Sequence, residues 1–383
     1  MTILDRQSHK LFSERIQPWL VSKKRPVDID TGQGVYIYGA GDLGLLALDY
    51  CESCNIPVLG ILDRSRTGVF RSKTGRDYII ASPDSNKEDV NRAAAVVVTI
   101  ATLPFGPIRN QLHSYGWEFV FPFYNLADHA RKGHPLQNGW KLADVTQHEF
   151  DTVEWLCRQW SDKVSWRHYE AFIAWHCDNT EVKLSECPIN TDQRYVIPEL
   201  LAALASSHQQ FVDVGSHRGE TIARLNRAGL RFDEYILIEP DELSRSHLSS
   251  HQHDFLPKGS RVSINEHVLG KSNHLSTFKE GLGYCSQIWG ESKYERRVIP
   301  LDELELTPDF IKVHTEGTEW DILQGAKNTV LRSRPCLAFS VYHRREGFYN
   351  DIAGAMELFH GYQWFFRLHS YQGTGGFVYA VPD

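Results

Sequence analysis

A short apolar strand that runs directly into a glycine turn and then an amphipathic helix leaves a chain few folds to adopt. Here residues 210–214 (QFVDV) supply the strand, 215–219 (GSHRG) the turn and 221–230 the helix, with Ile222, Leu225 and Leu230 on one face. That unit is half of a doubly wound α/β domain, which binds ligands at the carboxyl ends of its strands. The next strand end, YILIEPD at 235–241, brings Glu239 to where a ribose diol is hydrogen-bonded. The turn, with Asp213, Gly215, Ser216 and Gly219, reads D-x-G-x-x-x-G and not the dinucleotide G-x-G-x-x-G. An Asp fixed just before the turn repels a pyrophosphate but attracts a cation such as the α-ammonium of a methionine moiety, directly or through water. S-Adenosylmethionine is therefore the expected cofactor.

At 383 residues, 42% of them hydrophobic, the chain can fill two cores. A net charge of −7 without a basic run argues against sequence-independent nucleic-acid binding. The opening MTILDRQSHKLF lacks the apolar core of a secretory signal, and no run of about 18 apolar residues offers a bilayer span, so a cytoplasmic location is expected. The 7 cysteines are odd in number and scattered, which speaks against a disulfide framework. Cys51 and Cys54 form a CxxC inside an expected helix with no second pair, and are read as packing residues rather than a zinc or redox site.

The chain divides into four parts. Residues 1–33 read as an N-terminal helix and linker. Residues 34–135 alternate strands (35–41, 57–63, 78–81, 95–100, 119–123) with helices (42–54, 87–94, 106–115), as a small parallel sheet does. Within it Gly39, Gly41 and Gly44 match G-x-G-x-x-G and Asp63 ends the next strand. These residues fit a nucleotide or nucleotide-sugar pocket, or else glycines that simply let a helix pack closely on its sheet. Residues 136–205 read as a helical connector (145–160, 166–177, 196–206) with Trp155, Trp160, Trp166 and Trp175 as core between helices, and a loop at 192–195 placed to close over the cofactor. In residues 206–383 a third strand, 261–268, brings Glu266 or His267 toward an adenine, and 284–288 forms a loop over the site. LDEL at 301–304 leads to a fourth strand (310–317), a helix (318–331), a fifth strand (336–343), and a closing hairpin of 363–370 with 375–381 whose last strand runs antiparallel.

In this order DVGSHRGET, IEPD, LDEL, FIKVHTEGTEWDILQGA, SVYH and FRLHS…FVYA resemble the FkbM family of S-adenosylmethionine-dependent methyltransferases, over roughly residues 140–383. The resemblance implies a class I methyltransferase fold: α/β, with a seven-stranded, mostly parallel sheet ending in a reversed hairpin. It also implies methylation of a hydroxyl on a small-molecule or glycan acceptor, with Asp213, Gly215 and Gly219 forming the cofactor turn and Glu239 holding the ribose. The family pattern D-x-E-G becomes His314, Thr315, Glu316, Gly317 here, so a histidine replaces an acidic residue beside the substrate, which weakens the carry-over of a catalytic or metal-binding role. No metal is expected, the alternative being a divalent ion held by His314, Glu316 and His343. The first α/β unit lies outside the family core and is similar to small domains that bind nucleotide-linked sugars in some sugar-modifying enzymes.

A hydroxyl is a poor nucleophile until its proton leaves, and a positioned base contributes about 10²- to 10⁴-fold. His343, at the end of the fifth strand, is the expected base, neutral near pH 7 at an ordinary pKa of about 6.5. Glu316 then orients it or the acceptor, with His314 and Glu319 beside it and Tyr342 opposite. The structural alternatives are a hydrogen-bonding His343 and a Glu316 that caps the helix from 318. An oxidoreductase or isomerase of nucleotide sugars would need a Tyr/Lys pair or a Cys after GAGDLG, and none is suitably placed; a non-catalytic cofactor-binding scaffold has only His314 as a sign.

Overall fold

The computed structural model describes residues 3–22, 29–85, 91–130, 136, 138–142, 144–206, 209–279, 287–288 and 295–383. They form two α/β bodies joined by helices. The first described segment comprises α1 (Ile3–Leu11), a π-helical turn (Phe12–Ile16) and α2 (Gln17–Val21). Within the stretch expected to be a helix and linker, its apolar stripe of Leu11, Phe12, Ile16 and Leu20 joins the core of the larger, later body.

The first body is a six-stranded sheet of β1 (Val35–Tyr38), β2 (Val58–Leu62), β3 (Gly68–Arg71), β4 (Asp77–Ala81), β5 (Ala95–Val98) and β6 (Val120–Pro122), in the order β3-β4-β2-β1-β5-β6. Its strands are parallel except β3, which pairs antiparallel with β4. The wholly parallel reading fails there because β3 is a largely exposed edge strand without apolar alternation. Helices α3 (Asp42–Ser53), α4 (Phe105–Ser114) and α5 (Phe123–His129) accompany the sheet. Of the helix expected at 87–94, residues 91–94 form a turn and 87–90 lie outside the described residues. A Cβ at Gly44 would come within 2.0 Å of the Gly39 carbonyl oxygen. Gly44→Ala is thus expected to lever α3 off β1 and destabilise this body by about 1–3 kcal/mol, read as faster hydrogen exchange of β1 and β5 amides than of the second sheet.

The connector holds α6 (Gln147–Leu156), α7 (Lys163–Asp178) and α8 (Pro198–Ala203), shorter or shifted relative to expectation. α6 starts at a capping box of Thr146 with Glu149, and α7 at Asp162, which accepts from the Ser165 amide. Trp160 and Trp166 enter the large core, whereas Trp175 packs edge-on against Phe105 of the first body.

The second body contains β7 (Gln210–Val214), α9 (Glu220–Arg227), β8 (Glu234–Ile238), α10 (Glu242–Phe255), β9 (Arg261–Asn265), then four short strands: β10 (Val268–Leu269), β11 (His274–Lys279), β12 (Gln287–Ile288) and β13 (Glu295–Ile299). β14 (Phe310–Val313), α11 (Glu319–Gly325), α12 (Lys327–Ser333), β15 (Cys336–Ser340), α13 (Asn350–Leu358), β16 (Tyr362–Leu368) and β17 (Gly376–Pro382) complete it. Its main sheet runs β16-β17-β15-β14-β7-β8-β9, with only β17 antiparallel to its neighbours, the class I methyltransferase arrangement. The four short strands form a small additional sheet that the sequence reading lacks. Of the loop expected at 284–288, only Gln287 and Ile288 are described, as β12; 284–286 lie outside the described residues, as does Cys285. The 6 described cysteines are free thiols, Cys51 and Cys54 included.

The bodies are stitched together at the carboxyl end of β5. From the turn between β16 and β17, the Tyr371 amide donates to Ala101 O at 2.7 Å and Gln372 Nε2 to Ile100 O at 2.6 Å. Glu181 of the connector accepts from the Phe105 and Gly106 amides, capping α4. Among the described residues, no helix is long and apolar enough to cross a membrane.

Candidate active site

A cleft of about 450 Å³ lies between the bodies, walled by the glycine turn, Glu239 and His267 from the larger one and by Asp42, Thr102 and Tyr124 from the smaller. The turn's shape follows from its residues. Gly215 has φ +77°, and a Cβ there would come within 2.0 Å of the His314 carbonyl oxygen, so only glycine lets β7 and β14 end this close together. Ser216 Oγ donates to Asp213 O at 2.6 Å and accepts from the Ile238 amide at 3.2 Å, locking the turn to β8. Gly219, also left-handed, lies against the Phe255 ring where α9 begins.

Glu239 Oε2 accepts from the His217 amide at 2.8 Å and Oε1 from the Asp241 amide at 2.9 Å. Each oxygen retains acceptor capacity. Burial raises this carboxyl above its ordinary range, against the pull of the two amides.

Asp213 departs from one of the two expected modes, the direct one. Its carboxylate is fully buried beneath the turn, with Oδ1 2.8 Å from Lys312 Nζ, so it offers no direct contact to an ammonium ion. Lys312 also donates to the Val214 and Gly215 carbonyls, which makes the pair an internal strut for the turn. Burial raises the Asp213 carboxyl and the Lys312 ammonium opposes that rise. The clue in the sequence is Lys312 itself, a lone charge in the apolar strand FIKV that requires a partner. Glu266 also departs: it is exposed and pairs with Arg245 at 3.4 Å outside the cleft, which leaves His267 as the member of that pair on the wall.

The ends of β14 and β15 bring His314, Glu316, Glu319 and His343 together, as expected, but with altered roles. His343 Nδ1 lies 2.8 Å from Asn138 Oδ1 and 3.2 Å from Glu316 Oε2, and Nε2 lies 3.6 Å from Glu319 Oε1. Burial works to lower its pKa, but the Glu316 and Glu319 carboxylates outweigh that and raise it. His343 is buried behind the cleft wall, so the residue expected as base does not itself line the cleft. Glu316, at φ +57°, and His314 both line the wall. Glu319 caps the preceding loop, accepting from the Thr315 and Gly317 amides and from Ser340 Oγ. His314 Nδ1 is 2.7 Å from Tyr195 Oη and Nε2 3.0 Å from Tyr342 Oη. Burial, then the neighbouring His343 and Lys312, keeps its pKa well below the ordinary value, and the ring stays neutral. His314, Glu316 and His343 offer ligand atoms within 4.8 Å of one another, a spacing compatible with a cation. The proton on His343, facing two oxygen acceptors, would have to leave first.

The loop before β7 is held by two neutral histidines. The Tyr195 amide donates to Tyr379 Oη, which donates to His369 Nε2, whose Nδ1 donates to Asn190 O. His168 Nε2 donates to Cys187 O while its Nδ1 accepts from the Leu368 amide. Burial lowers His369 from 6.5 to about 3 and His168 from 6.5 to about 4. In each case the unfolded chain binds the proton first, so the full contribution is present above pH 6.5 and is lost as pH falls. Between pH 6.5 and 5.5 each should remove up to about 1.4 kcal/mol of stability, and urea denaturation of His369→Gln should show a shallower acid loss than wild type.

In the small body Asp63 accepts from the Ala40 amide at 2.8 Å and from the Ser65 and Arg66 amides at 2.9 Å. Burial favours a higher pKa, but those amides hold the carboxyl below its ordinary range. Asp63 thus fastens the glycine turn to the end of β2 and is not on the cleft wall. Gly39 and Gly44 are packing glycines, and Gly41 has open space beside it, next to Asp42 and Leu43 on the wall. Arg194 and Tyr195 of the loop expected over the cofactor face the cleft, as do Arg224, Thr102, Tyr124 and Asn138, which were not singled out from sequence. They come from segments far apart in sequence that only the folded chain unites, so no spacing rule joins them.

The family described as the Methyltransferase FkbM domain matches residues 213–368. The whole fold is similar to the crystal structure of methyltransferase FkbM from Methylobacillus flagellatus KT, at 18% identity and a TM-score of 0.61, with 97% of this chain and 92% of that one covered. Precorrin-6y C5,15-methyltransferase from Geobacter metallireducens GS-15 matches more loosely, at 11% identity and a TM-score of 0.29 over 47% of this chain and 82% of that one. No curated protein matches the chain.

Proposed function

The chain carries a methyltransferase FkbM domain, and from that premise we propose that it moves a methyl group from S-adenosylmethionine to a hydroxyl of a sugar, glycan or related natural product. One observation carries the reading: the glycine turn, Glu239 and Glu316 line a single cleft. The residues present suit the cofactor. Glu239 keeps acceptor capacity for a diol, and Gly215 lets the turn close onto the end of β14 so that turn and strand end wall the same cleft. When bound, the cofactor supplies an electrophilic sulfonium methyl group.

The remaining work belongs to the chain. The cleft aligns the hydroxyl for in-line attack and excludes competing water. Glu316 accepts the hydroxyl proton, while His343, itself bonded to Asn138, holds Glu316 in position. The smaller body supplies the far wall through Asp42, Leu43, Thr102 and Tyr124, which supports a role in gripping an extended acceptor, such as a glycan or a nucleotide-linked sugar.

Titration calorimetry with S-adenosylmethionine and S-adenosylhomocysteine tests the reading. Wild type should bind both, and Glu239→Ala should weaken binding at least about tenfold, roughly 1.4 kcal/mol. A wild-type protein that binds neither overturns it.

A further inference from the structure

Arg194 follows the short 3-10 turn Thr191–Gln193 and faces the cleft. Its Nε is buried without a hydrogen-bond acceptor, and among the described residues no carboxylate pairs with it. Its guanidinium instead lies 5.5 Å from the centre of the Phe377 ring. Arg224 of α9 reaches the same wall, where its Nη1 donates to Thr191 O at 3.1 Å. Burial and then the neighbouring Arg194 charge lower its pKa. The nearby carboxylates are already engaged, Asp213 by Lys312 and Glu220 by His217. Asp192 offsets part of the charge on Arg224, but among the described residues no carboxylate forms an ion pair with either arginine. The two like charges on one partly buried wall therefore repel each other, and a bound anion relieves that repulsion.

We infer that Arg194, with Arg224 beside it, takes the α-carboxylate of the cofactor's methionine moiety, an inference that rests on the cofactor reading proposed above. The planar guanidinium matches a carboxylate with two parallel N–H donors. The position favours the cofactor over the acceptor as the source of the anion. Arg224 lies on the helix that leaves the glycine turn, and Tyr195, next to Arg194, bonds His314 at the adjoining strand end. The hydrogen-bonded chain from the Tyr195 amide through Tyr379 to His369 fixes the loop, so the guanidinium is held in place before the ligand arrives.

The experiment compares two thioethers, S-adenosylhomocysteine and 5′-methylthioadenosine, which share the nucleoside but differ in the amino-acid portion. Calorimetry on the full chain should show Arg194→Met weakening S-adenosylhomocysteine at least about tenfold while methylthioadenosine changes by less than about twofold, with Arg194→Lys in between. Unaltered methylthioadenosine binding also shows that the variant is folded. Equal weakening of both ligands overturns the inference, because Arg194 would then merely support the loop. Unchanged affinity for both, with a raised KM for the acceptor, also overturns it and assigns the anion site to the acceptor. Wild type that binds neither ligand defeats the cofactor reading and this inference together; binding by wild type with an unchanged Arg194→Met defeats this inference alone.

Discussion

Glu316→Gln should lower kcat for methyl transfer by about 10²- to 10⁴-fold and leave the Kd for S-adenosylhomocysteine within about twofold. The substitution keeps the side-chain shape but removes the proton acceptor, and the glutamine amide can still face His343. Glu316 is held for this purpose by a left-handed backbone at φ +57°, a conformation that costs a non-glycine residue about 1–3 kcal/mol. Single-turnover and steady-state kinetics with a responsive acceptor separate the outcomes. A raised acceptor KM with unchanged kcat would make Glu316 a binding group and refute the base assignment. His343→Asn should show a smaller loss than Glu316→Gln, since it removes support for the base but not the base.

Lys312→Met should cost about 3–5 kcal/mol of stability, because it strands the Asp213 carboxylate in the core without its counter-charge. Adding Asp213→Asn to that variant should recover most of the loss, a rescue that simple loss of lysine packing would not produce. The unpaired carboxyl titrates higher in the folded state than in the unfolded chain. The penalty is thus largest above its folded pKa and shrinks as pH falls toward its unfolded value. Urea titrations of the three variants at neutral and mildly acid pH provide the measurement, and a Lys312→Met deficit that is the same at both pH values would count against the ion-pair account.

The fold was legible wherever a periodic apolar pattern coincided with turn residues. Phe211–Val214 followed by Gly215 and Gly219 marked β7 and its turn, and the order of later strands followed from the linked motifs. Strand β3 was hidden because an exposed edge needs no apolar alternation, and β11 and β13 because their sheet is short and mostly polar. At the site, Glu239, Glu316 and His343 could be placed by strand end alone. Their protonation could not, because His343 responds to Glu316 and Glu319 at once, and that convergence exists only after folding. Asp213 and Asp63 show the same limit: a strand-end carboxylate marks where the turn lies, but not whether it faces the ligand or the turn's own backbone.

Phe12 meets Phe150 edge-on at 5.1 Å, Arg15 pairs with Glu170 at 3.2 Å, and Cys177 Sγ donates to Trp19 O. These contacts tie the first described helices to α6 and α7, beyond the smaller sheet in the sequence. The smaller body is therefore an insertion whose two chain connections both return to the same support. During synthesis it can complete its sheet while α1 and α2 still wait, solvent-exposed, for α6 and α7 to emerge from the ribosome. A variant with Phe12 and Ile16 made polar should accordingly accumulate as a chain whose early domain is protease-resistant and whose later one is degraded.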